Sequence, residues 1–141
     1  MPVRVKVRAA IWIDGLLVVH RSSRQGSEHL TLPGGRIKDR ESVLEGLARE
    51  VREEIGLEIE VGPLLLVAEI FAGASRQDVE LIFEGHPRGA ARPDDLALVD
   101  PGAPEAELVM PPVVGDLVRL AGPGVDARTA AWLGNLHIPG R

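Results

Sequence analysis

The segment from Gly35 to Leu57, GRIKDRESVLEGLAREVREEIGL, constrains the fold of this chain more than any other stretch. From about Ser42 to Ile55 it reads as helix, and Gly56 follows the last periodic residue, where a terminating glycine belongs. On a helix advancing about 100° per residue, Glu50, Glu53 and Glu54 stand at i, i+3 and i+4 on one side. Leu44, Leu47, Ala48, Val51 and Ile55 fall in an adjoining arc about 100° wide, which requires a sheet to pack on. Arg49, Arg52 and Glu45 take the remaining sector. Three carboxylates that close repel one another, and a bound divalent cation removes the repulsion. Hard oxygen ligands at this spacing suit Mg²⁺ or Mn²⁺ rather than zinc. Arg49, four residues before Glu53, can hold one carboxylate in position. Glu41, just before the helix, can cap free amides or reach a metal on the Glu50 side. Gly34-Gly35 supplies backbone that approaches a ligand or metal without a Cβ in the way.

Around the helix the pattern is of strands. In VRVKVRAAIWI (residues 3–13), Val3, Val5, Val7, Ala9, Ile11 and Ile13 alternate with Arg4, Lys6, Arg8 and Trp12. Asp14-Gly15 is a hairpin pair, and Leu16 to His20 is the returning strand. Residues 21–30 are polar and predict a loop; Leu32 to Gly35 predicts a chain reversal. Leu64–Ala72 and Asp78–Glu84 predict two strands about a Gly73–Gln77 turn. From Gly85 to Pro104 only Leu96 to Val99 reads as a strand, and a connection that long is commonly functional or mobile. Glu107–Met110 predicts a short strand, Val113–Leu120 a second helix, and the tail 121–141 an amphipathic piece at Arg128–Leu133. The expected class is α+β, a mixed sheet with flanking helices, in a single domain over 1–141.

Composition excludes several classes. A chain of 141 residues supports one core, since chains near 150 bury about two-thirds of their unfolded surface. There is no cysteine, so no disulfide, zinc-thiolate site or thiol nucleophile. A formal charge of −5 argues against grip on a nucleic acid duplex by net charge. No run nears about 18 apolar residues, and MPVRVKVRAA lacks the features of a signal peptide, so a soluble cytoplasmic protein with no membrane role is expected. With two Trp, two Phe and no Tyr, ring-stacking sites are few.

Taken at its full spacing, the acidic segment resembles the signature of the Nudix (MutT-type) hydrolases, G-x5-E-x7-R-E-U-x-E-E-x-G-U, with U aliphatic. Gly35, Glu41, Arg49, Glu50, Val51, Glu53, Glu54, Gly56 and Leu57 fill every defined position, so the box spans 35–57. Seven fixed residues at these spacings make a chance match rarer than about one in a million. The resemblance extends over residues 3–120 and implies an α/β/α sandwich. It implies hydrolysis of a pyrophosphate bond, in a nucleoside diphosphate linked to another moiety or in a nucleotide, by water attack at phosphorus with Mg²⁺ or Mn²⁺. By motif position Glu50, Glu53 and Glu54 are the implied metal ligands, assisted by the Gly34 or Gly35 carbonyl, and Glu41 is structural or a weaker metal contact. Arg49 orients the glutamates. The general base is Glu53 or Glu50, or a later glutamate, for which Glu105 is the first choice and Glu107 or Asp100 the alternatives.

Substrate residues lie outside the box. Arg21 matches a position where relatives of this family hold a phosphate-contacting base. Arg8, with Arg4 and Lys6, lines a strand face beside Trp12 that reads either as a basic, ring-bearing nucleotide surface or as a packed sheet face. His20 and His29 read as surface or packing residues, and Trp132 as packing the tail onto the domain. The alternative function is a non-catalytic Nudix-fold module that senses or binds a nucleotide; the intact box favours the enzyme. A homodimer is compatible with the apolar strands and the Trp132 tail.

Overall fold

The computed structural model describes residues 3–122 and 131–137, with the side chains of 24, 72, 121, 132–135 and 137 outside the described set, among them Trp132. The N-terminal run forms β1 (Arg4–Ala10) and the short β2 (Trp12–Ile13), which turns into β3 (Leu16–Arg24). Asp14 and Gly15 have φ of 52° and 77°, the double positive φ of a type I′ hairpin. The polar run 21–30, expected as a loop, is a second hairpin: β3 returns as β4 (Ser27–Thr31) through Gln25 and Gly26, at φ 51° and 78°. Of its described residues only Leu30 is buried, so no apolar alternation marked it as strand.

Next come β5 (Gly34–Arg36), α1 (Val43–Ile55), β6 (Ile59–Ala72), β7 (Arg76–Pro87) and β8 (Ala97–Val99). A 3₁₀ turn at Pro104–Leu108 leads into β9 (Val109–Met110), α2 (Val114–Ala121) and β10 (Ala131–His137). Strands β6 and β7 outrun their apolar stretches; register shifts at Val61–Leu66 hid the start of β6 behind Gly62-Pro63. The tail enters the sheet as β10, parallel to β6; of the amphipathic piece expected at Arg128–Leu133, residues 128–130 lie outside the described set. One sheet runs β10-β6-β7-β1-β5 and mixes parallel with antiparallel neighbours; the other runs β2-β3-β4-β9, with β8 on β3.

Two apolar clusters join the layers. Val7 and Ala9 of β1 and the following Ile11 pack with Leu47 and Val51 of α1. Leu17, Val19, Leu66, Ile70, Ile82 and Leu117 are in the larger cluster between the sheets and α2. Leu44, expected on the packed arc of α1, is 49% exposed. The packed stripe is displaced toward Gly46, where a Cβ would lie 2.7 Å from Ile37 Cγ2, so loop 37–41 sits against the helix there.

The basic face of β1 is closed at Arg8 and partly open at Arg4 and Lys6. Arg8 is 8% exposed, its Nε 2.7 Å from Glu80 Oε1 on the neighbouring β7. Asp78, wholly buried, meets Arg4 Nε at 3.1 Å, Lys6 Nζ at 3.5 Å and Arg76 Nε at 2.9 Å. Trp12, partly buried, packs against the larger cluster, and its Nε1 is buried with no hydrogen-bond partner among the described residues. Burial opposes ionisation of Asp78, but the Arg76 hydrogen bond and the charges of Lys6, Arg76 and Arg4 outweigh it and hold the carboxyl below its usual range. A depressed carboxyl stabilises the fold above its unfolded pKa, and that contribution is lost as pH falls through the folded value. Asp78→Asn is therefore expected to cost about 2 kcal/mol at pH 7, with its cations partly hydrated, and progressively less below pH ~4. Denaturant melts of both proteins at pH 7 and pH 3 check it; an equal deficit at the two pH values would refute the electrostatic account.

Candidate functional site

Helix α1 starts at Ser42, whose hydroxyl accepts from the Glu45 amide at 3.2 Å, and ends at Gly56, at φ 69°. Ser42 thus caps the helix, leaving Glu41 free for another task. Its carboxylate accepts from Arg49 Nε at 2.6 Å, Arg49 Nη2 at 3.0 Å and the Lys38 amide at 2.9 Å. These bonds, the Arg49 pair foremost, lower the Glu41 carboxyl to about 2. Gly46 makes this possible: a Cβ there would sit 2.8 Å from Glu41 Oε1. Its helical position gives no sequence sign of that role.

Arg49 is the hub of the acidic cluster. Besides Glu41 it reaches Glu50 Oε1 at 3.1 Å and Glu53 Oε2 at 2.9 Å. One guanidinium therefore gathers three carboxylates, and these contacts, Glu41 first, hold its proton more tightly than usual. Glu54 stands apart: Oε1 accepts from the Gly34 amide at 2.7 Å, and Oε2 lies 3.3 Å from His20 Nδ1. Burial raises the Glu54 carboxyl, opposed in part by the Gly34 amide and by the charges of His20 and Arg8. Gly35 faces Glu50, whose carboxylate a Cβ would meet at 3.1 Å. Arg8 donates to the Leu32 and Gly34 carbonyls at 3.1 and 3.3 Å, bracing this strand from behind.

The motif residues Gly34, Gly35, Glu41, Arg49, Glu50, Glu53 and Glu54 are thus brought together along one side of α1 and β5. Among the described residues no three carboxylate or imidazole groups stand close enough together to hold a metal ion as they are placed. The donor set nonetheless fits a hard cation: all oxygen, backed by a strand edge with no Cβ at Gly35.

Arg21 and Glu105, 84 residues apart, also meet. Arg21 Nη2 lies 3.0 Å from Glu105 Oε1, and Arg21 also pairs with Glu28. Arg21 stands between two clefts. One, of about 410 Å³, is lined by His20, Glu54, Gly56, Pro93 and Asp95; the other, of about 540 Å³, by Glu28, His29, Glu105, Glu107 and Leu108. Asp100 accepts from the Gly102 amide at 2.9 Å and so closes a turn. His20, read from the sequence as a surface or packing residue, faces Glu54; the strand β3 places it there.

A layered mixed-sheet fold that presents glutamates and an arginine from one helix beside a glycine-lined edge defines a narrow class. The model of the NUDIX domain matches residues 2–113. The chain belongs to the NUDIX domain family. It is 44% identical over 56 residues to the 8-oxo-dGDP phosphatase NUDT18 of Danio rerio, a stretch spanning 40% of this chain and 17% of that relative. The MutT NUDIX hydrolase of Burkholderia pseudomallei superposes with a TM-score of 0.59 at 27% identity, covering 72% of this chain and 85% of the other. A NUDIX hydrolase of Nitrosomonas europaea superposes at 0.69 and 20% identity, over 84% and 87%, and shares the fold. No described helix is long and apolar enough to cross a membrane.

Proposed function

We propose that the chain is a divalent-metal-dependent pyrophosphohydrolase. Its substrate is a nucleoside diphosphate linked to another moiety, or a nucleoside triphosphate. The observation that carries this reading is the Arg49-centred cluster, in which Glu50 and Glu53 each keep one oxygen clear of the guanidinium while Glu54 is held by Gly34. Glu50, Glu53 and Glu54 would hold Mg²⁺ or Mn²⁺, with the Gly35 carbonyl nearby; the Gly34 carbonyl already accepts from Arg8. When bound, the cation neutralises phosphate charge and lowers the pKa of water. Arg49 fixes the carboxylate rotamers before substrate arrives, and Glu41 balances its charge. Arg21 offers a cation to the phosphates once Glu28 and Glu105 release it. The water oxygen attacks phosphorus, its proton passes to a carboxylate, and the bond to the bridging oxygen breaks. Glu53, more exposed than Glu50 or Glu54, or Glu105 on its turn beside Arg21, takes that proton.

The test is a panel of nucleoside triphosphates, nucleotide sugars, ADP-ribose and nucleoside diphosphates, 8-oxo-dGDP included because of the NUDT18 similarity. Hydrolysis of at least one member with Mg²⁺ or Mn²⁺ is expected, abolished by EDTA and restored by excess metal. Inactivity across the panel with both metals would favour a nucleotide-binding module instead.

A further inference from the structure

On the first sheet, the face that carries Arg8 continues away from Gly34 along β1. At about 3.3 Å per residue, Lys6 lies about 7 Å and Arg4 about 13 Å beyond it. There Arg4, Lys6 and Arg76 surround one carboxylate, Asp78, itself fully buried. Three cations sharing one anion leave a local excess of positive charge in a chain of net charge −5. The next carboxylate along, Glu80, is engaged by Arg8 and does not relieve it. Arg36, exposed on β5, stands directly opposite Lys6 and adds to the same face. Burial and then the repulsion of Arg8 push the Lys6 ammonium below its ordinary value, opposed in part by the charge of Asp78.

The arginines are also oriented. Arg4 and Arg76 both spend Nε on Asp78, and among the described residues neither makes a hydrogen bond through its terminal nitrogens. Two guanidinium forks are thus anchored at the base, partly exposed at the tip and free to donate. That arrangement suits a tetrahedral, multiply charged oxyanion.

We propose that Arg4, Lys6 and Arg76, held by Asp78, form an anion subsite for a phosphoryl group of the substrate that lies beyond the scissile pyrophosphate. The inference rests on the hydrolase reading for its location and names the substrate class: compounds carrying a further phosphate on the moiety that Arg21 and the helix do not hold.

The binding half is tested without catalysis. In EDTA the helix carboxylates repel anions, and titration with tripolyphosphate followed by calorimetry reads the cationic sites alone. The wild-type chain is expected to bind, and Arg4→Gln or Arg76→Gln to weaken binding about tenfold or more, while Arg119→Gln on the exposed face of α2 leaves it unchanged. Each single variant leaves Asp78 a second arginine, and melting curves verify the fold. If either glutamine variant melts early, Arg4→Lys and Arg76→Lys keep the charge and remove the fork, and weaker binding is again expected. No binding by the wild type, or binding abolished by Arg21→Gln and untouched by the Arg4 and Arg76 variants, overturns the subsite. The substrate half is read on the metal-loaded enzyme: Arg76→Gln should raise KM for substrates with a distal phosphate and leave KM unchanged for those without one. Unchanged KM for both, with tripolyphosphate binding lost, would assign the site to a free anion and overturn that half. Failure of hydrolysis itself would appear in the panel assay and not in the EDTA titration.

Discussion

Glu53→Gln is expected to lower kcat/KM by about 10²- to 10⁴-fold while the protein stays folded. Glu53 is 56% exposed, and its ion pair with Arg49 is the i,i+4 type worth about 0.3–0.5 kcal/mol, so stability barely registers the change. Removing one anionic oxygen from an all-carboxylate set is a different matter, because Gln keeps the shape and loses the charge that a cation needs. A higher Mg²⁺ activation constant should accompany the loss. Glu54→Gln is the companion variant: its amide oxygen can still accept from Gly34, so the strand contact survives while the charge does not. Full activity in both variants would sink the metal assignment.

What was legible in the sequence was local. The hairpin at Asp14-Gly15, the helix with its cap at Gly56 and the run from Glu41 to Glu54 each declare themselves within a few residues, since turn chemistry and helical period act at that range. What was not legible was set by pairing across the chain. Arg8 reads either as part of a basic surface or as part of a packed sheet face until β1 is laid beside β7, where Glu80, 72 residues away, takes it into the interior. His20 reads as a surface or packing residue until β3 places it against Glu54. The polar run 21–30 of the second hairpin has, among its described residues, only Leu30 buried and so no period-two signal, and Gly34-Gly35 reads as a loop although its backbone forms a sheet edge with β1. Composition pointed to acidity; the structure locates an opposite, cationic region around Asp78 that net charge conceals.

Gly34→Ala is expected to be the most destabilising single substitution at the site. Gly34 sits at φ 145°, a conformation L-residues rarely adopt, and an added Cβ would lie 1.9 Å from the Val7 carbonyl oxygen and 2.9 Å from Arg8 Cα. Both are backbone atoms of β1 and cannot swing aside, so β5 must part from β1 or the peptide must flip. Either response breaks the Gly34 amide contact to Glu54 and the Arg8 contact to the Gly34 carbonyl. The cost is about 3–5 kcal/mol, a fall of roughly 10–20 °C in Tm for a chain this size. Gly35→Ala gives the contrast: its Cβ would meet only the end of the Glu50 side chain, at 3.1 Å, which can rotate away. That variant should keep its Tm within about 2 °C and lose activity, because Glu50 moves. A Tm for Gly34→Ala within 2 °C of wild type would show that this edge is looser than its contacts imply. The carboxylate geometry would then have to be held by α1 and Arg49 alone.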